Sequence, residues 1–292
     1  MKKVIALSAM LASSLFAVEL QWGHGTMELS GGFLGLANTT ISDNIDTYTL
    51  VEEHKNIYNS KYFYSYTFTI FDSQKMRQLQ SNYNTGVSQV NSILRVPGMD
   101  SSYVTIPEME YRLEGLDIGI SIGYDLIHNS DSDYLGVAIY TGVSTPIIKS
   151  NKSLSSTISA NVDLTKYYLD SETDIVSYKI GLGVYGEKKL SDFASIYGSA
   201  IYSFQTLNVS NDYANSDFDV NGNYFELNTG LRVHASKDSK FSGIYGTLGW
   251  RYREWNVDDA AINISGIASL KTPKSDMKFS SNAVVVGLGY NF

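Results

Sequence analysis

The feature that most constrains the fold is a two-residue alternation that recurs along the chain. In "GLDIGISIGYDLI" (115–127) apolar residues occupy the even positions, and the odd positions carry Gly, Asp and Ser up to the final Ile127. The stretches 174–186, 223–235 and 241–253 have the same rhythm. Because the side chains of a β-strand alternate between the two faces of its sheet, this period predicts an antiparallel all-β fold.

Two antiparallel architectures share this alternation, a soluble sandwich and a membrane-spanning barrel. Each segment runs to about 10 to 13 residues, which is long for soluble strands and suits a tilted strand that crosses a bilayer. The faces opposite the apolar ones carry many Gly and several charges, and aromatic residues gather at the segment ends. These features favour a transmembrane antiparallel up-and-down β-barrel with aromatic residues at both membrane interfaces.

The first 17 residues form a separate segment. Lys2 and Lys3 precede an apolar run from Val4 to Phe16, and Ala17 is a plausible cleavage position. This pattern predicts a signal peptide over 1–17, followed by one barrel domain over 18–292. No later stretch has the roughly 18 apolar residues of a membrane-spanning helix, and the absence of Cys excludes a disulfide scaffold.

The chain ends on another alternating row, in which Val284, Val286, Leu288, Tyr290 and Phe292 share one face. Gram-negative outer-membrane β-barrel proteins typically finish on an aromatic residue, usually Phe, with apolar residues at alternate positions before it, and this ending resembles that pattern. The resemblance implies an insertion signal read by the outer-membrane insertion machinery. It also implies a location in the cell outer membrane, with outer-membrane lipid around the barrel. It indicates no subfamily.

Such barrels have an even number of strands, short periplasmic turns and longer external loops. Working backwards from the C-terminus predicts about ten strands, within a range of eight to twelve, near 280–292, 241–253, 223–235, 192–206, 174–186, 154–168, 133–146, 114–127, 60–72 and 25–38. On this count the external loops are 39–59, 207–222 and 254–279. The segments 187–192 and 236–240 become periplasmic turns, whereas the short turn 128–133 falls outside the cell.

One segment departs from the period of two. Between Ser73 and Val96 the apolar residues recur at spacings of three and four, and Pro97 with Gly98 supplies a stop. This spacing predicts an amphipathic helical insertion near 73–96, placed by the strand count at the periplasmic end. Such a helix either lies under the barrel rim or enters the barrel interior as a plug.

Several charged residues fall on the faces that would line the interior. They are Asp117, Asp125, Asp163, Lys179, Glu226, Arg232, Arg251 and Arg253. Their positions allow Asp163 to pair with Lys179, and Glu226 with Arg251, across neighbouring strands. These residues either hold the interior together by structural ion pairs or set the charge selectivity of a narrow water path for small polar solutes or ions.

The leading functional hypothesis is therefore a narrow porin-like channel or a structural barrel. A surface adhesin that binds through the predicted external loops is the alternative. An outer-membrane hydrolase is a weaker one, with acid and His candidates at Glu52, Glu53, His54, His128, Asp131, Asp133, Asp258 and Asp259. Their spacing matches no catalytic motif, so we expect no enzyme, no metal site and no cofactor. The net charge of −8 argues against nucleic acid as a partner.

Overall fold

The computed structural model describes residues 18–33, 37–55, 57, 60–73, 76–78, 109–127, 133–153, 172–211, 216–236, 240–260 and 275–291. These residues form antiparallel strands: β1 (Val18–Phe33), β2 (Ala37–His54), β3 (Tyr62–Ser73), β4 (Met76–Gln78), β5 (Met109–Asp125), β6 (Tyr134–Ser153), β7 (Glu172–Ser191), β8 (Ala194–Asn211), β9 (Ser216–His234), β10 (Ile244–Ala260) and β11 (Ser275–Tyr290).

The strands close into a barrel because β1 pairs with β2 on one side and with β11 on the other. The short strand β4 pairs with the same two neighbours as β3, namely β2 and β5, so β3 and β4 together occupy one position in the wall. The barrel wall therefore has ten strand positions. This confirms the predicted all-β up-and-down barrel of about ten strands.

The first and last described strands meet at one end of the barrel, where Val18 lies opposite both Tyr290 and Glu52. In barrels of this kind both chain ends face the periplasm, so we name this the periplasmic end and the opposite one the external end. The connections after β2, β5, β7 and β9 lie at the periplasmic end. The turn at 128–133 is among them, so its predicted external position is wrong.

The outer wall carries a band of exposed aliphatic and aromatic side chains, which we call the belt. It includes Ile122, Ile139, Ile180, Leu182, Leu231, Leu248, Val284, Val286 and Leu288, with Tyr62, Tyr124 and Tyr290 near the periplasmic end and Tyr48, Tyr178, Tyr202 and Phe204 near the external end. An exposed apolar band with aromatic edges is the surface that contacts lipid in an outer-membrane barrel. The barrel therefore has the outer surface of a membrane-spanning protein.

The strands continue well beyond the belt on the external side. Most have 16 to 20 residues, whereas about ten suffice to cross a bilayer. In these external parts the alternation reverses, since apolar side chains such as Ile45, Leu207 and Val257 face inward and polar ones face outward. We call this part of the barrel the external extension.

This reversal explains why three predicted external loops are too long. The segment 39–59 is mostly strand β2. It does not look like a lipid-facing strand in the sequence, because the polar Asn44 and Asp46 face outward while Ile45 faces inward. The segments 207–222 and 254–279 are largely the continuing ends of β8, β9, β10 and β11. A strand predicted from its outward apolar residues ends too early, because beyond the lipid the wall is surrounded by water and its outward residues are polar.

The predicted helix at 73–96 is wrong for residues 76–78, which form strand β4. The rest of that segment, and with it the plug, lies outside the described residues. The flanking strands β4 and β5 have their connecting ends at the external side, not at the periplasmic side as predicted. The predicted strand 154–168 and the signal peptide 1–17 also lie outside the described residues.

Candidate functional site: the barrel interior

Polar and apolar side chains fill the interior in layers. A charged cluster lies at the periplasmic end, a second charged network lies deeper at the level of the belt, and an apolar core fills the external extension. Each layer is built by the inward-facing residues of neighbouring strands, which follow one another around the barrel through the register.

The periplasmic cluster centres on Glu187 of β7. Its carboxylate lies 2.6 Å from Lys55 Nζ and 2.7 Å from Arg232 Nη1, and it accepts a hydrogen bond from Ser195. The Arg232 guanidinium also lies 3.5 Å from Glu19 Oε2. Strands β1, β7 and β9 and the residue that follows β2 are thereby tied together, so the cluster braces the mouth of the barrel.

Aromatic rings enclose the cations of this cluster. The Arg232 guanidinium lies over the rings of Tyr245 and Tyr197, at 4.7 Å and 5.3 Å from their centroids. Lys55 Nζ lies 4.7 Å from the centroid of Tyr134. Stacking on aromatic faces stabilises cations that carboxylates hold only in part.

A relay of hydrogen bonds connects this cluster to the deeper network. Gln21 donates to Glu19 Oε1 at 2.7 Å, and Arg251 Nη2 donates to Gln21 Oε1 at 2.5 Å. Arg251 Nη1 also donates to Thr49 Oγ1 at 3.0 Å, and Arg251 Nε lies 3.8 Å from Glu226 Oε1. One bonded path therefore runs from the periplasmic mouth to the centre of the barrel.

The deeper network joins Glu226, Arg253, Asp117 and Lys179. Arg253 Nε lies 3.1 Å from Glu226 Oε2, and Arg253 Nη1 lies 4.0 Å from Asp117 Oδ2. Lys179 Nζ lies 2.5 Å from Asp117 Oδ1 and 3.9 Å from the ring centroid of Tyr224, whose hydroxyl donates to Glu226. Two acids and two bases thus neutralise one another where water has little access.

Above this network the interior is apolar. The core of the external extension consists of Met27, Ile45, Phe71, Leu113, Ile175, Leu207, Val220, Trp255, Val257 and Phe279, all buried. Buried side chains that pack this closely displace water, as they do inside a soluble protein. This core occupies the external end of the described interior.

A cavity of about 60 Å³ lies between the two charged layers. Its lining includes Tyr185, Tyr197, Asn228, Arg232 and Arg251. Asn228 Oδ1 and the Nε atoms of both arginines are buried without a hydrogen-bond partner, and such atoms are what ordered water binds. The volume suits a few water molecules and is far smaller than an aqueous channel.

Seven of the eight charged residues singled out from the sequence face the interior and are buried: Asp117, Asp125, Lys179, Glu226, Arg232, Arg251 and Arg253. Asp163 lies outside the described residues. Lys179 pairs with Asp117, which the sequence did not suggest, because the two lie on strands separated by β6. The predicted contact of Glu226 with Arg251 is present, although Arg253 lies closer to Glu226.

Sequence reasoning missed Glu19, Lys55 and Glu187 as members of the interior network. Glu19 and Lys55 lie in stretches that were assigned to the region before the first strand and to a loop. Glu187 fell in a predicted turn, although the alternation of 174–186 extends to it and could have placed it inward. Glu52, Glu53 and His54 lie at the periplasmic end of β2, and not at the external mouth as predicted.

The other acid and His candidates are scattered. Asp133 accepts a hydrogen bond from the Lys189 main-chain nitrogen at the periplasmic end, whereas Asp258 lies at the external end of β10. His128 and Asp131 lie outside the described residues. Within the described ranges, no three acidic, His or Cys side chains are close enough to hold a metal ion together.

In the part of the chain that the structure covers, no helix has the length and apolar content needed to cross a membrane. The terminal row Val284, Val286, Leu288 and Tyr290 faces lipid, as the alternation predicts. It pairs with residues 18–24 of β1, which lie before the predicted first strand near 25–38. Phe292 lies outside the described residues, so its role as an insertion signal stays a prediction.

The sequence matches no protein-family profile and no curated protein. Among solved structures, the outer membrane protease OmpT from Escherichia coli is similar over 94% of this chain and 97% of that chain, with a TM-score of 0.52 and 10% identity. The translocator domain of the autotransporter NalP from Neisseria meningitidis follows at 10% identity, 100% and 94% coverage and a TM-score of 0.38.

The Pseudomonas putida toluene transporter TodX has a TM-score of 0.30 at 9% identity over 98% of this chain and 92% of that one. At such identities the likeness to OmpT is one of fold. It shows that this chain has the architecture of a Gram-negative outer-membrane β-barrel.

Proposed function

We propose that this protein is a closed outer-membrane barrel that works through its external extension, as a surface binding protein and not as a channel. The observation that carries this proposal is that side chains occupy the described interior at both charged layers and in the external extension, with a cavity of only about 60 Å³ between the charged layers. Ion pairs occupy the part at the level of the belt, and an apolar core occupies the part beyond it.

The charged layers favour the structural role over the charge-selective one. In an ion-selective path, charged side chains face water so that a passing ion exchanges with them. Here Lys179 and Arg253 both pair with Asp117, and all three side chains are almost fully buried. An ion entering this network would have to separate bonded charges and would then meet the apolar core.

The external extension supports a binding role. Its wall is polar on the outside and apolar on the inside, with Trp255, Leu207 and Val220 buried between its strands. A barrel needs no such extension merely to span the membrane, since about ten residues per strand suffice. Long strands with their own core place the external ends of the wall at a distance from the lipid surface.

The proposal is tested by attachment. Cells that display the full chain are compared with cells that display a variant in which residues 261–274, between β10 and β11, are replaced by a short Gly-Ser linker. We expect the variant to reach the outer membrane in equal amount and to lose attachment to surfaces and to other cells. A matched control replaces residues 128–132 at the periplasmic end, and attachment there should be unchanged. Equal attachment by all three would contradict the binding role.

A further inference from the structure

The outward surface of β8, β9 and β10 beyond the belt carries a patch of uncharged and acidic polar side chains. We call it the amide face; it consists of Thr206, Asn208, Asp219, Asn221, Asn223, Asn256 and Asp258. Thr206, Asp219, Asn221 and Asp258 are exposed, and the others are half-buried. The three strands are adjacent, so these residues form one continuous surface.

Cross-strand hydrogen bonds hold the amide face in a fixed arrangement. Thr206 donates to Asn221 Oδ1 at 3.3 Å, Asn208 donates to Asp219 Oδ1 at 3.3 Å, and Asn256 donates to Asn223 Oδ1 at 3.1 Å. A surface that is ordered before a ligand arrives loses less conformational entropy on binding.

The amide face is also braced from inside the barrel. Gln205 Nε2 donates to the main-chain carbonyl oxygens of Asn223 and Asn256, at 3.0 Å and 2.9 Å. Behind the same strands lie Trp255 and Val220 of the apolar core. The spacing of the outward side chains is therefore set by the packed interior.

Aromatic rings border the amide face at the external edge of the belt. Tyr202 and Phe204 lie on β8 with their ring centroids 5.9 Å apart, and Phe225 of β9 lies 6.3 Å from Tyr252 of β10. Phe204 is 68% exposed, so its ring is open to an approaching molecule. Aromatic faces beside amide and carboxylate groups offer an apolar contact and hydrogen bonds at once.

The charge of the amide face restricts its partner. Beyond the belt, the described outward residues of β8, β9 and β10 include no Lys or Arg, and Lys278 of the adjacent β11, opposite Asn256, is paired with Glu254 at 2.6 Å. The wall that continues from β8 through β7, β6, β5 and β3 instead carries a ladder of ion pairs formed by Asp72, Arg112, Glu114, Lys149 and Glu172. Phosphate groups would be repelled by Asp219 and Asp258, whereas neutral hydroxyl groups can donate to them and accept from the amides.

We propose that the amide face binds the uncharged sugar headgroup of a glycolipid in the surrounding outer leaflet. The face points sideways from the barrel and begins where the belt ends. It is therefore closer to the headgroups of the surrounding lipids than to a molecule that approaches from outside the cell. Sugar rings would stack on the bordering aromatic residues, and their hydroxyls would meet Asn221, Asn256 and Asp258. This inference rests on outer-membrane placement and on no claim about conductance.

The test uses the full chain in nanodiscs that contain phosphatidylethanolamine and the neutral glycolipid digalactosyl diacylglycerol. Native mass spectrometry measures which lipid stays bound when the protein is released. We expect enrichment of the glycolipid by about tenfold, the effect of one or two hydrogen bonds. The variant Asn208→Ala/Asn221→Ala/Asn256→Ala should lose it, and the variant Ser42→Ala/Asn44→Ala, at exposed positions of β2 on the opposite side of the barrel, should keep it.

Three outcomes would overturn the inference. They are equal retention of both lipids by the wild-type protein, unchanged enrichment in the triple variant, and dimers in sugar-free nanodiscs that the triple variant abolishes, which would make the face a contact between copies. If the triple variant does not fold, Asn221→Ala alone gives the same comparison, because that side chain is exposed. A barrel that conducts ions and still enriches the glycolipid would remove the proposed function and leave this inference standing.

Discussion

Lys179 of β7 and Asp117 of β5 form an ion pair across the intervening strand β6, with 2.5 Å between Nζ and Oδ1 and side chains that are 0% and 3% exposed. Ser144 of β6 donates to the same Asp117 oxygen, so the three strands meet at one carboxylate. Two opposite charges that share so little water depend on each other. This pair is the point at which the charged interior gives way to the apolar core.

Removing one partner of this pair should cost more than removing both. Lys179→Met leaves Asp117 buried without its closest cation, and we expect the free energy of unfolding to fall by about 3 to 5 kcal/mol. The double variant Lys179→Met/Asp117→Leu should recover most of that loss. Urea unfolding of the protein in lipid measures both values.

The matched control for this experiment is Lys188→Met, on the same strand but exposed on the outer wall. Its effect should stay below about 1 kcal/mol, because an exposed charge is solvated in both states. Equal losses for the two Lys substitutions would show that the pair across β6 contributes nothing particular to stability.

The Phe63 ring lies over two inward glycines, Gly123 and Gly136, near the periplasmic end. A Cβ added at Gly136 would clash with a carbon of that ring. Gly136→Ala should therefore lower the free energy of unfolding by about 1 to 3 kcal/mol, because the ring must move out of a packed site. In a Phe63→Leu background the same substitution should cost less.

Gly186 provides the control for that prediction, since it faces outward and a Cβ there would meet nothing nearer than 3.5 Å. We expect Gly186→Ala to change the free energy of unfolding by less than about 0.5 kcal/mol. If Gly136→Ala costs as much in the Phe63→Leu background as in the wild type, the contact with the ring is not the cause.

We expect Glu254, in the external extension, to make the stability of the folded barrel slightly dependent on pH. Partial burial raises the pKa of this carboxyl, but hydrogen bonds from Lys278, Tyr252 and Asn256 outweigh that and hold it below the ordinary value of 4.5. A depressed carboxyl pKa stabilises the folded state above the ordinary value, and the contribution is lost as pH falls through the folded-state pKa. The stability difference between wild type and Glu254→Gln should stay under about 1 kcal/mol at neutral pH.

The same difference should shrink progressively below about pH 4.5, where both states take up the proton. Thermal unfolding of both proteins across a pH series measures it. Lys278→Gln should show the same trend, because Lys278 Nζ lies 2.6 Å from Glu254 Oε2. A difference that does not vary with pH would contradict the role of the Glu254 charge.

The fold could be predicted from the sequence where the wall contacts lipid. There Ile118, Ile120 and Ile122 alternate with small residues, because one face of the strand contacts an apolar environment. The external extension could not be predicted in the same way, because water on the outside reverses the sense of the alternation. The predicted count of ten agrees with the structure although the strands are not all the same. Strand β2 was not predicted, and the predicted strand 154–168 lies outside the described residues.

The sequence predicts which charged residues of the candidate site face the interior, but not which of them pair with one another. The period of two placed Lys179, Arg251 and Arg253 inward, since inward and outward positions simply alternate along a strand. Which charges meet depends on side chains reaching over a neighbouring strand, as Lys179 does toward Asp117. That distance follows from the closed barrel and its register, which no single segment reveals.

The most direct test of the central claim, that the interior is closed, is single-channel recording of the purified full-length protein in planar bilayers. A known open porin, recorded in the same membranes, shows that conducting channels are detected. We expect no steady openings for this protein and no new ones in Arg251→Ala. A stable ion-selective current in the wild-type protein, altered by Arg251→Ala, would contradict it.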